Sequence, residues 1–116
     1  IQLTTGLIMS IQTKLIYITT DTPDNAHLIG KALVEEGLAA CANILAPMTA
    51  IFRWEGRVKE ERETALLVKT TEQQVDALTK RVVALHTFSC PCVVSIPIDG
   101  GNLAFLQWIA DETGLC

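Results

Sequence analysis

Two long strand-like runs meet at Trp54-Glu55-Gly56-Arg57, and they constrain the fold more than any other feature of the chain. The first arm is small and apolar, running from Leu38 through Cys41 to Ile44 and continuing from Ile51 to Trp54. The second starts charged at Arg57 and passes through Ala65-Leu66-Leu67-Val68 to Thr70. A strand rises roughly 3.3 Å per residue, so an arm of about 16 residues reaches ~50 Å. A domain of ~100 residues has a radius of gyration of only about 13 Å. The hairpin tip must therefore project beyond its own domain. An isolated two-stranded ribbon is marginal in water, so the overhang is expected to pair with another copy of the chain. Pro47 cannot donate to a ladder, so the first arm must bulge or lie on an edge there.

Composition points the same way. Hydrophobic residues make up 49% of the 116 residues and charged residues 19%, with a mean hydropathy of +0.34. No apolar run reaches the ~18 residues of a membrane helix, because Lys14, Asp21, Lys31 and later charges interrupt every candidate. The excess apolar surface is assigned to a subunit interface. A formal net charge of −4 argues against a nucleic-acid partner, which would meet a basic face.

Residues 1–12 carry no Lys or Arg and read as a flexible N-terminal extension, with Met9-Ser10 as an alternative start. Residues 13–116 read as one domain. Cys41, Cys90, Cys92 and Cys116 lack the spacing of a disulfide scaffold, which suits free thiols in a reducing cytoplasm.

Lys14 to Thr19 is a β-branched run typical of a central strand. Thr22-Pro23 opens a helix with a stripe of Leu28, Ile29, Ala32, Leu33 and Glu36, stopped by Gly37. After the hairpin, Thr71-Glu72-Gln73-Gln74 has the form of a capping box, and Val75, Leu78, Val82 and Leu85 share a helical face. Cys92 to Ile96 reads as a strand ended by Pro97, with Cys90 and Cys92 alternating on one face. Asn102 caps a last helix lined by Leu103, Leu106, Ile109 and Ala110. The order β-α-β-β-α-β plus a C-terminal helix predicts an α+β, ferredoxin-like sandwich, with helices on one face of an antiparallel sheet.

Several segments carry a resemblance that spans about residues 13–110. They are Leu33-Val34-Glu35-Glu36-Gly37-Leu38-Ala39-Ala40-Cys41-Ala42-Asn43-Ile44, Phe52-Arg53-Trp54-Glu55-Gly56, Glu63, Lys69-Thr70, Leu85-His86 and Phe105-Leu106-Gln107-Trp108-Ile109. Together they resemble the CutA family of divalent-cation tolerance proteins. The resemblance implies a ferredoxin-like homotrimer whose long hairpins cross neighbouring subunits. It also implies a cytosolic setting and an association with tolerance of copper and other divalent metals. The chain departs from the family after the histidine, where a proline, a tyrosine and a later proline-glutamate pair are typical. Here Thr87-Phe88-Ser89-Cys90-Pro91-Cys92 keeps only the later proline, so a ligand role for that glutamate has no carrier.

His86, Cys90 and Cys92 are the leading candidates for a metal, since thiolate and imidazole suit Cu(I), Zn(II) and similar ions. The bland alternative is thiols packed as small hydrophobes. Cys41, among small apolar residues, reads as a packing residue to which the resemblance adds a metal role. Trp54, Glu63 and Lys69 are the remaining residues the resemblance selects, as the wall of an intersubunit cleft. Lys69 precedes a helix start that favours anions, which suits a small anionic ligand as in the trimeric PII signalling proteins. Against that stands a paired Glu63 and Lys69 with Trp54 as an interface anchor. Nucleotide-binding, esterase and metalloprotease motifs are missing, and no orienting acid sits beside a Cys–His pair, so a non-enzymatic protein without an organic cofactor is expected.

Overall fold

The computed structural model describes residues 12–114. Residues 1–11 of the expected extension, including the alternative start, and Cys116 lie outside the described residues. Gln12 is tied down, its carbonyl accepting from the Glu72 N–H at 2.8 Å.

The elements run β1 (Thr13–Thr20), α1 (Pro23–Glu35), β2 (Cys41–Ile44), β3 (Met48–Trp54) and β4 (Arg57–Thr71). A 3-10 turn (Glu72–Gln74), α2 (Val75–Leu85), β5 (Val93–Ile98) and α3 (Leu103–Asp111) follow. The sheet order is β2-β4-β1-β5, and every pairing is antiparallel. β3 pairs with the outer half of β4 alone.

Pro47 has the effect expected of it. β2 meets β4 in the register Ile44–Leu66, whereas β3 meets it in the register Met48–Glu63. Three residues, Leu45 to Pro47, thus stand opposite two, Thr64 and Ala65, and the ladder takes a one-residue bulge. Beyond it the ribbon carries the molecule to 55 × 26 × 23 Å, with a radius of gyration of 15.5 Å. The tip closes through Glu55 (φ 50°) and Gly56 (φ 78°), the paired positive dihedrals of a type I′ turn.

One sheet face holds the core. Ile16 and Ile18 of β1 and Leu66 and Val68 of β4 pack under Ala26, Ile29 and Leu33 of α1 and Leu78 and Val82 of α2. Each of the Ile, Leu and Val side chains contributes about 1.5–3 kcal/mol by leaving water. Gly30 lets α1 lie close, since a Cβ there would stand 3.1 Å from Leu66 Cδ2 and 3.2 Å from Ala42 Cβ. Thr22 caps α1 as expected, its Oγ1 accepting from the Asn25 N–H at 3.1 Å. Gly37 takes φ 72° beyond the helix end. Arg81 of α2 and Glu36 form a forked pair at 2.9 Å, and this hydrogen bond, then the carboxylate charge, raises the guanidinium pKa.

Four local expectations need correction. Leu28 is 52% exposed, so the α1 stripe is Ala26, Ile29, Gly30 and Leu33. Thr71 makes no side-chain cap bond, and the chain enters α2 through the 3-10 turn instead. β5 begins at Val93 and runs through Pro97, which an edge strand tolerates by turning its missing donor outward. Cys90 and Cys92 therefore sit in the loop before the strand rather than on its face. Finally, α3 lies against the opposite sheet face from α1 and α2: its Phe105 ring stands 5.7 Å from Lys69 Nζ, on the face turned away from Val68.

Candidate functional site

The hairpin that leaves the core also builds a wall. Alternation along β3 puts Ala50, Phe52 and Trp54 on one face, and the register adds Lys59, Glu61 and Glu63 from β4. The loop from Thr87 to Cys92 stands against that face, and Thr19 at the end of β1 lies between them. Together they enclose a cleft of about 590 Å³, within the usual size of a small-molecule site.

His86 holds the loop in place. Its Nε2 lies 2.6 Å from the Thr19 carbonyl oxygen, and its Nδ1 is 3.0 Å from the Phe88 N–H. An N–H must donate to Nδ1, so Nε2 carries the ring proton and donates to Thr19. The Phe88 ring packs against the imidazole, tilted, with centroids 4.7 Å apart. Both nitrogens are engaged by the fold, and in this arrangement neither offers a lone pair to a metal.

Cys90 is exposed, Cys92 is partly buried, and both are free thiols lining the cleft. Glu63 is only 8% exposed and also lines it, yet its carboxylate makes no hydrogen bond or ion pair among the described residues. Trp54 closes the cleft toward the hairpin tip.

Cys41 and Lys69 stand elsewhere. They are cross-strand partners of β2 and β4. Lys69 Nζ donates to Asn43 Oδ1 at 2.7 Å and lies 3.5 Å from Cys41 Sγ. Six residues of strand separate Lys69 from Glu63, on the order of 20 Å, so within one chain the two do not pair. The candidate residues thus divide into Trp54, Glu63, Cys90 and Cys92 in the cleft, His86 behind its wall, and Cys41 with Lys69 apart. Among the described residues no three His, Cys, Asp or Glu side chains are grouped to hold a metal ion.

The sequence model of the CutA1 divalent ion tolerance protein matches residues 14–112. The chain belongs to the CutA1 family. A divalent-cation tolerance protein CutA from Thermus thermophilus is 46% identical over 87% of this chain and 98% of its own length. One from Archaeoglobus fulgidus is 42% identical over 84% and 94%. The chain spans only about half of the human protein CutA, 54% of its length, at 34% identity. Among solved structures, the T. thermophilus protein aligns with a TM-score of 0.86 at 45% identity, covering 88% of this chain and 99% of that one. CutA1 from Oryza sativa aligns at 0.88 and 33% identity, covering 93% and 99%. The A. fulgidus protein is described as periplasmic and a rice relative as chloroplastic.

Sequence reasoning missed much of the cleft. Phe52, Glu61 and Lys59 were legible as period-two partners of Trp54 and Glu63 on the same ribbon face. Thr19, Phe88 and Ser89 carry no local signal, because only the closure of the sheet brings them there.

Proposed function

We propose that this CutA1 protein is a non-enzymatic divalent-cation tolerance protein that binds copper or a similarly soft ion through Cys90 and Cys92. The observation that carries the reading is that both thiols line the same cleft, one residue apart. Thiolates favour Cu(I) over the oxygen-seeking Mg(II) and Ca(II), and Cu(I) is content with two of them. The family's divalent-ion name and the replacement of its usual glutamate by Cys92, with Cys90 two positions before it, support a thiolate version of the site. Cys41 is the fallback ligand. His86 contributes to metal binding only through the loop it anchors, since its nitrogens are occupied. The same occupancy supports a non-enzymatic role, because it removes the general base a cysteine nucleophile would use.

The working unit in this reading is a cytoplasmic, ferredoxin-like homotrimer. The strand order supports the fold, and the apolar surface supports the assembly. Ile51 (67% exposed) and Val58 (63%) lie on one hairpin face while Phe52 and Trp54 lie on the other, so each side of the ribbon carries exposed apolar residues among its charges. The alternative, a PII-like sensor of a small anion in the cleft, loses support because Lys69 is bound to Asn43 away from Trp54 and Glu63. Calorimetric titration under reducing conditions tests the choice: saturable Cu(I) binding supports the thiolate reading, and binding of nucleotide or phosphate without Cu(I) contradicts it.

A further inference from the structure

We infer that the hairpin cleft binds a small organic cation, an alkylammonium or guanidinium group, with its charge on Glu63 and its carbon skeleton against Phe52 and Phe88. Glu63 is more than nine-tenths buried, lines the cleft and has no partner among the described residues. Its carboxylate oxygens reach only the water of the cleft, so an unpaired negative charge faces that space and favours a cation entering it. Among the described residues no cationic side chain pairs with it. Lys69 faces Asn43, and Lys59, opposite Phe52, stands two same-face positions closer to the hairpin tip and lies in the exposed stretch of β4.

The walls select the kind of cation. Phe52, Trp54 and Phe88 offer aromatic surface, which attracts ammonium and guanidinium groups where water is thinned. Thr19 and Ser89 border the same space with hydroxyls that accept the remaining N–H donors. A volume of about 590 Å³ fits an organic molecule better than a bare ion. The inference is independent of thiolate metal binding, because it rests on Glu63 and the aromatic wall rather than on Cys90 and Cys92.

The cation has two possible sources, a free amine or an Arg or Lys side chain of a second copy, and one set of measurements separates them. The assembled protein, carrying Trp108→Phe so that Trp54 alone reports, is titrated with n-butylammonium and agmatine, with butyrate as the anionic control. Saturable quenching by the cations and none by butyrate is expected. Glu63→Gln should weaken that binding about 10- to 100-fold, as befits loss of a charge-assisted bond, and Glu63→Asp should retain it. Cys90→Ser with Cys92→Ser should keep amine binding while losing Cu(I), so the two readings fail separately. If free amines do not bind but Glu63→Gln alone weakens assembly in light scattering at least tenfold, the cation is supplied by the second copy. Unchanged assembly together with no amine binding overturns the inference, and so does binding of butyrate.

Discussion

His86 Nε2 stands 2.6 Å from the carbonyl oxygen of Thr19, one position beyond the last β1–β5 pair, Ile18 with Val93. The histidine thus takes over the ladder where β5 has not yet begun, and the loop carrying Cys90 and Cys92 hangs from it. His86→Ala leaves the Thr19 carbonyl and the Phe88 N–H without partners, at about 1–3 kcal/mol. A thermal melt should show that loss, and nitrogen NMR of the wild type should find the Nε2–H tautomer. A proton on Nδ1 instead would contradict the bond to Phe88.

Gly56 carries φ 78° with open space where a Cβ would go, so the cost of a side chain there is purely backbone strain. Gly56→Val should destabilise by about 1–3 kcal/mol. Glu55 sits at φ 50°, and Glu55→Asn should stabilise slightly, since Asn tolerates that region better. Chemical denaturation of both variants checks the pair of signs; an unchanged Gly56→Val midpoint would contradict the turn.

Gly30 marks the closest approach of α1 to the sheet. Gly30→Val forces its methyls toward Leu66 and Ala42 and should cost about 1–3 kcal/mol by overpacking. Unaltered stability would mean that the helix is free to move away.

The hairpin was legible because its constraints are local: alternating side chains, a glycine at the bend, a proline that must interrupt a ladder. The core stripe of α2 was legible for the same reason, Val75, Leu78, Val82 and Leu85 repeating at helical spacing. Apolarity puts the two cysteines on a strand, whereas β5 begins only at Val93 and accepts Pro97 at an edge. Sequence offers His86 as a ligand because its partners, the Thr19 carbonyl and the Phe88 N–H, are backbone groups with no sequence signature. The resemblance groups Lys69 with Glu63 across subunits, whereas within one chain strand geometry sets them far apart.

Assembly should be inseparable from folding if the apolar residues on the hairpin's two faces are buried between subunits. The melting temperature should then rise with protein concentration. Light scattering should give three times the chain mass at micromolar concentration. A well-folded monomer there would remove the basis for the trimer.

The most direct test of the thiolate reading is a competitive Cu(I) titration of the wild type beside the Cys90→Ser, Cys92→Ser double variant under reducing conditions. The wild type should bind saturably, with affinity falling as pH drops because protons compete for the thiolates. The double variant should lose tight binding while keeping its assembly. Equal Cu(I) affinity in the two proteins, or none in either, would contradict it.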